Sequence, residues 1–173
     1  AVVLQELEFI GARRRQLSVF ENALRTGRMP RRVIHGDTKL NNVLFDSETG
    51  QPRCIVDLDT CMPGYSLFDF GDLVRFTAAT SDEDEGDLDR VDVDMDLYHA
   101  LRDGYLEKAN GFLNAFEVEH MAFAARIVTL TIGMRFLADH VMGDHYFKIE
   151  REGHNLDRAR VQLRMVETME VLK

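Results

Sequence analysis

The sequence predicts a mainly α domain carrying a small β-hairpin element, and three observations predict it. Apolar residues recur at helical spacing through several long segments. Three short β-rich runs lie between the first and second of these segments. The turn-rich stretch Asp46-Ser-Glu-Thr-Gly-Gln51 joins two of those runs at hairpin length. With 173 residues the chain reads as one domain, 1–173, long enough to bury a sizeable core.

Residues 3–26 form the first predicted helix, with Leu4, Leu7, Ile10, Leu17, Phe20 and Leu24 near a 3.6-residue period. Gly27 and Pro30 end it. Strands are predicted at Arg32–His35, Val43–Phe45 and Arg53–Leu58, and Pro63-Gly64 breaks the chain after them. Helices follow at Leu67–Ala79 and Leu97–Lys108, then a long apolar one at Phe116–Val141, and a last at about Leu156 to Leu172. The chain thus divides into a motif-bearing segment 31–76, an acidic loop 80–96 and a helical remainder 97–173.

A net charge of −9, with 45% hydrophobic and 29% charged residues, is that of an ordinary soluble protein. The charge is concentrated. Residues 81–96 carry nine acids and one arginine, so the rest of the chain is nearly neutral. That segment reads as a solvated loop, with a lid or a docking site for a basic partner as the alternative. No basic face suggests nucleic acid, and no unbroken apolar run reaches the roughly 18 residues of a membrane span. Cys54 and Cys61 fit neither a zinc spacing nor a disulfide framework, which makes the cytoplasm the simplest setting.

The chemistry concentrates in HGDTKLNN, residues 35–42, and IVDLDT, residues 55–60. Phosphoryl transfer needs a carboxylate to orient the acceptor hydroxyl and take its proton, an amide oxygen for Mg²⁺, and a further carboxylate for the metal that holds the phosphates. Asp37, Asn42 and Asp57 supply that set at the spacing H-x-D-x-x-x-x-N followed by a hairpin. Lys39 adds positive charge where the phosphoryl oxygens become more negative. On an extended backbone Asp57 and Asp59 point the same way, which suits a shared cation.

The block HGDTKLNNVLFD, IVDLDTCMPG and FDFGDLVRF resembles the C-terminal lobe of the aminoglycoside phosphotransferase and choline kinase superfamily, which has the protein-kinase-like fold. It is most similar to N-acetylhexosamine 1-kinase-type sugar kinases, closely over about Arg31–Phe76 and more loosely in the tail FLADHVMGDHYFKIEREGHNLDRARVQ. The resemblance implies ATP as co-substrate, Mg²⁺ as cofactor and a small-molecule acceptor, here a sugar. It makes Asp37 the base, Asn42 and Asp57 metal ligands, and Asp59 a second or water-mediated ligand. His35 and Asp69 would brace the loop; the literal Asp69-Phe70-Gly71 is not the metal motif. Asp72 and Arg75 would face the substrate or form a structural ion pair.

The sequence departs from the family in one respect. No glycine-rich stretch or strand lysine precedes His35, so the chain is expected to be a fragment lacking an N-terminal lobe, inactive alone and prone to self-association through exposed cleft surface. A non-catalytic module of the same fold is the alternative, as is a kinase for choline, an aminoglycoside or another small alcohol. His140, His145 and His154 with Asp139 and Asp144 match no zinc pattern and read as loop contacts. Cys61 reads as a small apolar filler and the methionines, Met62, Met134 and Met165 among them, as core.

Overall fold

The first helix follows its apolar period, and the computed structural model, which describes residues 3–172, places it as α1, Leu4–Arg25, with Ile10, Leu17, Phe20 and Leu24 against the core and Leu4 and Leu7 exposed. Gly27, at φ +70°, turns the chain out of it. Strand β1, Arg32–Ile34, pairs antiparallel with β4, Met62–Gly64, and β2, Val43–Phe45, pairs with β3, Pro52–Ile55. Between the strand pairs lies the motif loop. The helices α2, Ser66–Thr77, α3, Met95–Ala109, α4, Ala115–Glu119, α5, Met121–Met142, and α6, His154–Thr168, make up the rest, so the domain is mainly α.

The β2–β3 hairpin is held at its turn by Asp46. One carboxylate oxygen accepts the N–H groups of Glu48 and Thr49, and the other accepts Arg53 at 2.7 Å. The Arg53 guanidinium first, and then the Thr49 groups, hold the Asp46 carboxyl down at about 2.

Helix α5 is the centre of the domain, packing on α6 on one side and α2 on the other. The α2–α5 crossing is close because its contact residues are small. A Cβ on Gly71 would stand 2.6 Å from Val128 Cγ2 and 2.8 Å from the Ala124 carbonyl oxygen. Phe70, Val74, Ala124, Ala125 and Met169 are fully buried around that crossing. By length and composition α5 also passes as a membrane span, with a mean hydropathy of 1.5. Counting unbroken apolar runs misses this, because Arg126 and Arg135 interrupt the run without lowering the mean far. Half of that window is buried inside the domain.

Four expectations change. The predicted Phe116–Val141 helix is two helices, broken at His120. The α4 start is fixed by a capping box between Asn114 and Glu117, and the His120 ring bonds back to the Phe116 carbonyl at 2.9 Å, which ends α4 before α5 begins. Pro63-Gly64 lies inside β4 instead of breaking the chain after the strands. A two-stranded ladder has only edges, so the missing proline N–H costs little there. Cys61 and Met62 are exposed instead of filling the core. With Val33, Leu44, Phe45, Ile55 and Leu58 they leave the short strands apolar toward solvent.

The acidic segment is the fourth. It forms a strap that is tied down along its length. Val91 and Val93 are buried, Ala79 bridges Val93, and Asp94 caps α3 through the Leu97 N–H. Glu83 meets Arg75 at 2.9 Å, and Asp84 meets the buried His154 at 3.0 Å. Of the nine acids, Glu83, Asp84, Glu85 and Asp94 are engaged by a cation or a helix cap, while Asp82, Asp87, Asp89, Asp92 and Asp96 stay exposed.

Candidate active site

The motif loop is suspended from α2. The His35 N–H donates to Asp69 Oδ2 at 2.8 Å and the Gly36 N–H to Asp69 Oδ1 at 2.9 Å, while the Thr38 hydroxyl donates to the Asp69 carbonyl. One turn along, Asp72 accepts the Thr38 N–H at 3.1 Å. Asp69 and Asp72 share a face of α2 because they are three residues apart. The loop can approach this closely because residue 36 is glycine. It sits at φ +84°, and a Cβ would lie 2.8 Å from the Thr60 carbonyl oxygen.

His35 ties the loop to the segment that follows β3. Its Nδ1 accepts the Asp37 N–H at 3.3 Å and its Nε2 lies 3.1 Å from the Val56 carbonyl oxygen. These partners define the neutral tautomer with the proton on Nε2. The Thr60 hydroxyl donates to the His35 carbonyl at 2.7 Å, closing the loop from the other side. Strand β1, which leads into it, is anchored by Arg32 on the fully buried Glu117 at 2.9 Å. The second Glu117 contact, from the Asn114 N–H, leaves that buried carboxylate satisfied.

Within the loop three groups meet. Lys39 Nζ lies 2.7 Å from Asp37 Oδ2, and the Asn42 amide donates to the same oxygen at 3.1 Å and to the Asp37 carbonyl at 2.9 Å. Oδ1 of Asp37 has no protein partner among the described residues. The hydrogen bond to Asp37 raises the Lys39 pKa above its ordinary value, and the charges of Asp37, Asp57 and Asp72 add to it against the cost of burial. Lys39 therefore stays charged, and the Asp57 carboxylate is near enough to be felt.

The extended-backbone argument for Asp57 and Asp59 does not hold. Strand β3 ends at Ile55, Asp57 takes a left-handed conformation at φ 60°, and Leu58–Thr60 is a single 3₁₀ turn. The alternation of a pleated strand is lost there. A non-glycine residue held in that region carries local strain of the kind found at functional sites. Asp57 remains beside the loop because the Val56 N–H donates to the Asn42 carbonyl at 2.9 Å.

The residues fit a hard cation. The Asn42 amide nitrogen is engaged, which leaves its oxygen as the remaining acceptor, and the Asp57 carboxylate has no ion-pair partner among the described residues. Mg²⁺ is characteristically held by one or two protein oxygens plus waters and phosphates, which is what this pair offers. Among the described residues no group of three or more His, Cys, Asp or Glu side chains converges on a metal position. The His140–His154 region is structural: Asp139 accepts the N–H groups of His145, Tyr146 and Phe147 and the Asn155 amide.

Those bonds, the Phe147 N–H foremost, hold the Asp139 carboxyl below its ordinary 3.8. Its stabilisation is present above that value and lost as the pH falls through the lower folded value. Asp139→Asn should thus cost stability at neutral pH and progressively less in acid. Thermal melts of both proteins across that range will show the gap narrowing; a constant gap would refute the linkage.

A cavity of about 630 Å³ opens beside Asp37. Its walls are apolar, from Phe20 and Leu24 of α1, Phe68 of α2 and Ile127 of α5, with Arg75 and Arg135 among the few polar groups. Arg75 reaches Asp72 at 2.9 Å, the structural ion pair that was one of the two alternatives for it, and its side chain borders the cavity. Arg135 stands over the rings of Tyr146 and Phe147, 5.5 and 5.4 Å from their centroids.

The model of a phosphotransferase enzyme family, APH, matches residues 2–113. The chain belongs to this family. As an APH phosphotransferase it acts on a small molecule, and enzymes of the family use ATP and Mg²⁺. The matched stretch contains the whole loop, the hairpin and α2. The cavity wall from α5 lies outside it, as do Arg135, Lys148 and Arg158. Sequence reasoning missed those residues as well as Glu83 and the α1 wall. The tail FLADHVMGDHYFKIEREGHNLDRARVQ contains Lys148 and Arg158, but its pattern does not say what it faces, and Arg135, Glu83 and the α1 residues lie outside it.

Proposed function

We propose that this phosphotransferase transfers the γ-phosphoryl group of ATP to a hydroxyl of a sugar, N-acetylhexosamine in kind. One observation supports it above the others. Asp37 borders the cavity with one oxygen fixed by Lys39 and Asn42 and the other unengaged. That is how a carboxylate must stand if it is to receive an acceptor hydroxyl. A volume of about 630 Å³ with apolar walls and few polar groups suits a sugar ring, which has apolar faces and a polar rim.

In this reading Asp37 Oδ1 accepts a hydrogen bond from the hydroxyl, aligns its oxygen and takes its proton as the oxygen bonds to phosphorus and ADP leaves. Lys39 keeps Oδ2 in place and offers its charge to the phosphoryl oxygens. Asn42 and Asp57 would hold Mg²⁺, with Asp59 as a second ligand or a water-mediated neighbour, and the ion would supply neutralisation of phosphate charge. Asp69, His35 and Thr60 keep the loop from moving, and Asp72 holds Arg75 at the cavity edge. Arg135 donates to the polar rim of the acceptor.

The test is phosphorus NMR of products formed from ATP, Mg²⁺ and a panel of N-acetylglucosamine, N-acetylgalactosamine, choline, an aminoglycoside and homoserine. A sugar phosphate ester is the expected product. Phosphorylation of choline or the aminoglycoside with the sugars untouched would overturn the sugar reading.

A further inference from the structure

Asp37 borders a second cavity, of about 460 Å³, whose character is different. Four cations line it, Lys39, Arg75, Lys148 and Arg158, against two carboxylates, Asp37 and Glu83. Two of the cations are committed: Lys39 to Asp37 at 2.7 Å, and Arg75 to Asp72 and Glu83, both at 2.9 Å. Lys148 is not, and Arg158 is paired only loosely, with Glu83. Lys148 has no ion-pair or hydrogen-bond partner for its ammonium group among the described residues. Arg158 Nε is buried without a hydrogen bond, since its nearest carboxylate oxygen, Glu83 Oε2, is 3.8 Å away and beyond donor range.

The Arg158 guanidinium is also held in place. Its Nη1 donates to the Lys148 carbonyl at 3.0 Å and to Asn155 Oδ1 at 3.3 Å, and the group stands 5.5 Å from the Phe136 ring centroid. A fixed guanidinium with an unused, desolvated donor, beside an exposed ammonium, is a preorganised seat for an oxyanion. Glu83 partly occupies the field of that seat from the acidic strap and keeps it electrically quiet when empty.

We infer that Arg158 and Lys148 form a subsite for an oxyanion borne by the sugar, a carboxylate or a phosphate ester, next to the hydroxyl that meets Asp37. This rests on the sugar-kinase reading above. The oxyanion has two possible sources of the same chemistry: an acidic substituent of the acceptor, or the phosphate ester that transfer itself creates. Both sit within one ligand's length of Asp37, because that residue borders both cavities.

The experiment is calorimetric titration of the full chain, without nucleotide or metal, using inorganic phosphate, N-acetylglucosamine, N-acetylglucosamine 1-phosphate and glucuronate. One or both anionic sugars should bind about tenfold tighter than the neutral one, as a charge-assisted hydrogen bond implies. Preference for the uronate alone identifies an acidic acceptor; preference for the 1-phosphate alone identifies the product ester. Lys148→Gln and Arg158→Gln should each abolish the preference and leave neutral-sugar affinity unchanged. Glu83→Gln should strengthen anion binding by removing a competing charge. Lys148→Gln guards against misfolding, because that side chain is exposed and supports nothing.

An undiminished preference in both variants overturns the inference, as does equal binding of neutral and anionic sugars by the wild type. If a separate titration with ATP shows that ATP affinity alone falls in both variants, the cations serve the nucleotide and the inference fails. Should no sugar bind while inorganic phosphate still binds through Arg158, the sugar reading fails and the oxyanion seat stands.

Discussion

Asp37→Asn should lower the turnover of the native enzyme by about 10² to 10⁴-fold, the range of general-base catalysis, with the affinity for ATP nearly unchanged. The substitution is close to isosteric, so the loop keeps its shape. Its backbone bonds to His35 and to the Asn42 amide do not involve the carboxylate. What disappears is the anionic oxygen able to receive a proton, together with the charge that holds Lys39. Steady-state kinetics should show the loss in kcat and little in the KM for ATP. Turnover within a few-fold of wild type would remove Asp37 from the role of base.

Asp69→Ala should be the most destabilising single change in the loop region. It strips the acceptors from the His35 and Gly36 N–H groups, which lie 2.8 and 2.9 Å from its two oxygens. Gly36 is exposed and His35 only half-buried, so water takes up part of the loss and the cost is about 1–3 kcal/mol. The effect on stability should come with a fall in turnover, because the same bonds fix Asp37 one residue further on. Asp69→Asn retains one acceptor oxygen and should fall between. Asp59→Asn, at an exposed position, is the control: its melting temperature should match the wild type. Equal melting of Asp69→Ala and wild type would show that the loop is held by something else.

Much of this was readable from local spacing. The interval from Asp37 to Lys39 and Asn42 survives folding because a tight loop keeps residues two and five apart within reach of one carboxylate. The hairpin was legible from Asp46 to Gln51 for the same reason. Asp57 and Asp59 were misread because one residue in a left-handed conformation cancels the alternation of a strand, and no periodicity announces it. The break at His120 was hidden by apolar residues that continue in register across it. In the strap, nine acids obscured Val91 and Val93, the two side chains that pin it. The cavity was invisible because its walls join Leu24 to Ile127 and Arg135, about a hundred positions apart in sequence.

The attachment of the loop to α2 and of the cavity wall to α5 has an evolutionary consequence. The two helices meet at Gly71 and Ala124, through small groups that do not take part in either task. Substitutions at Ile127, Thr131, Ile132 or Arg135 can therefore reshape what the enzyme accepts without disturbing how Asp37 is held. Such a division lets one transfer apparatus be inherited intact while its clientele changes. Libraries confined to those four positions are where a new acceptor should be sought.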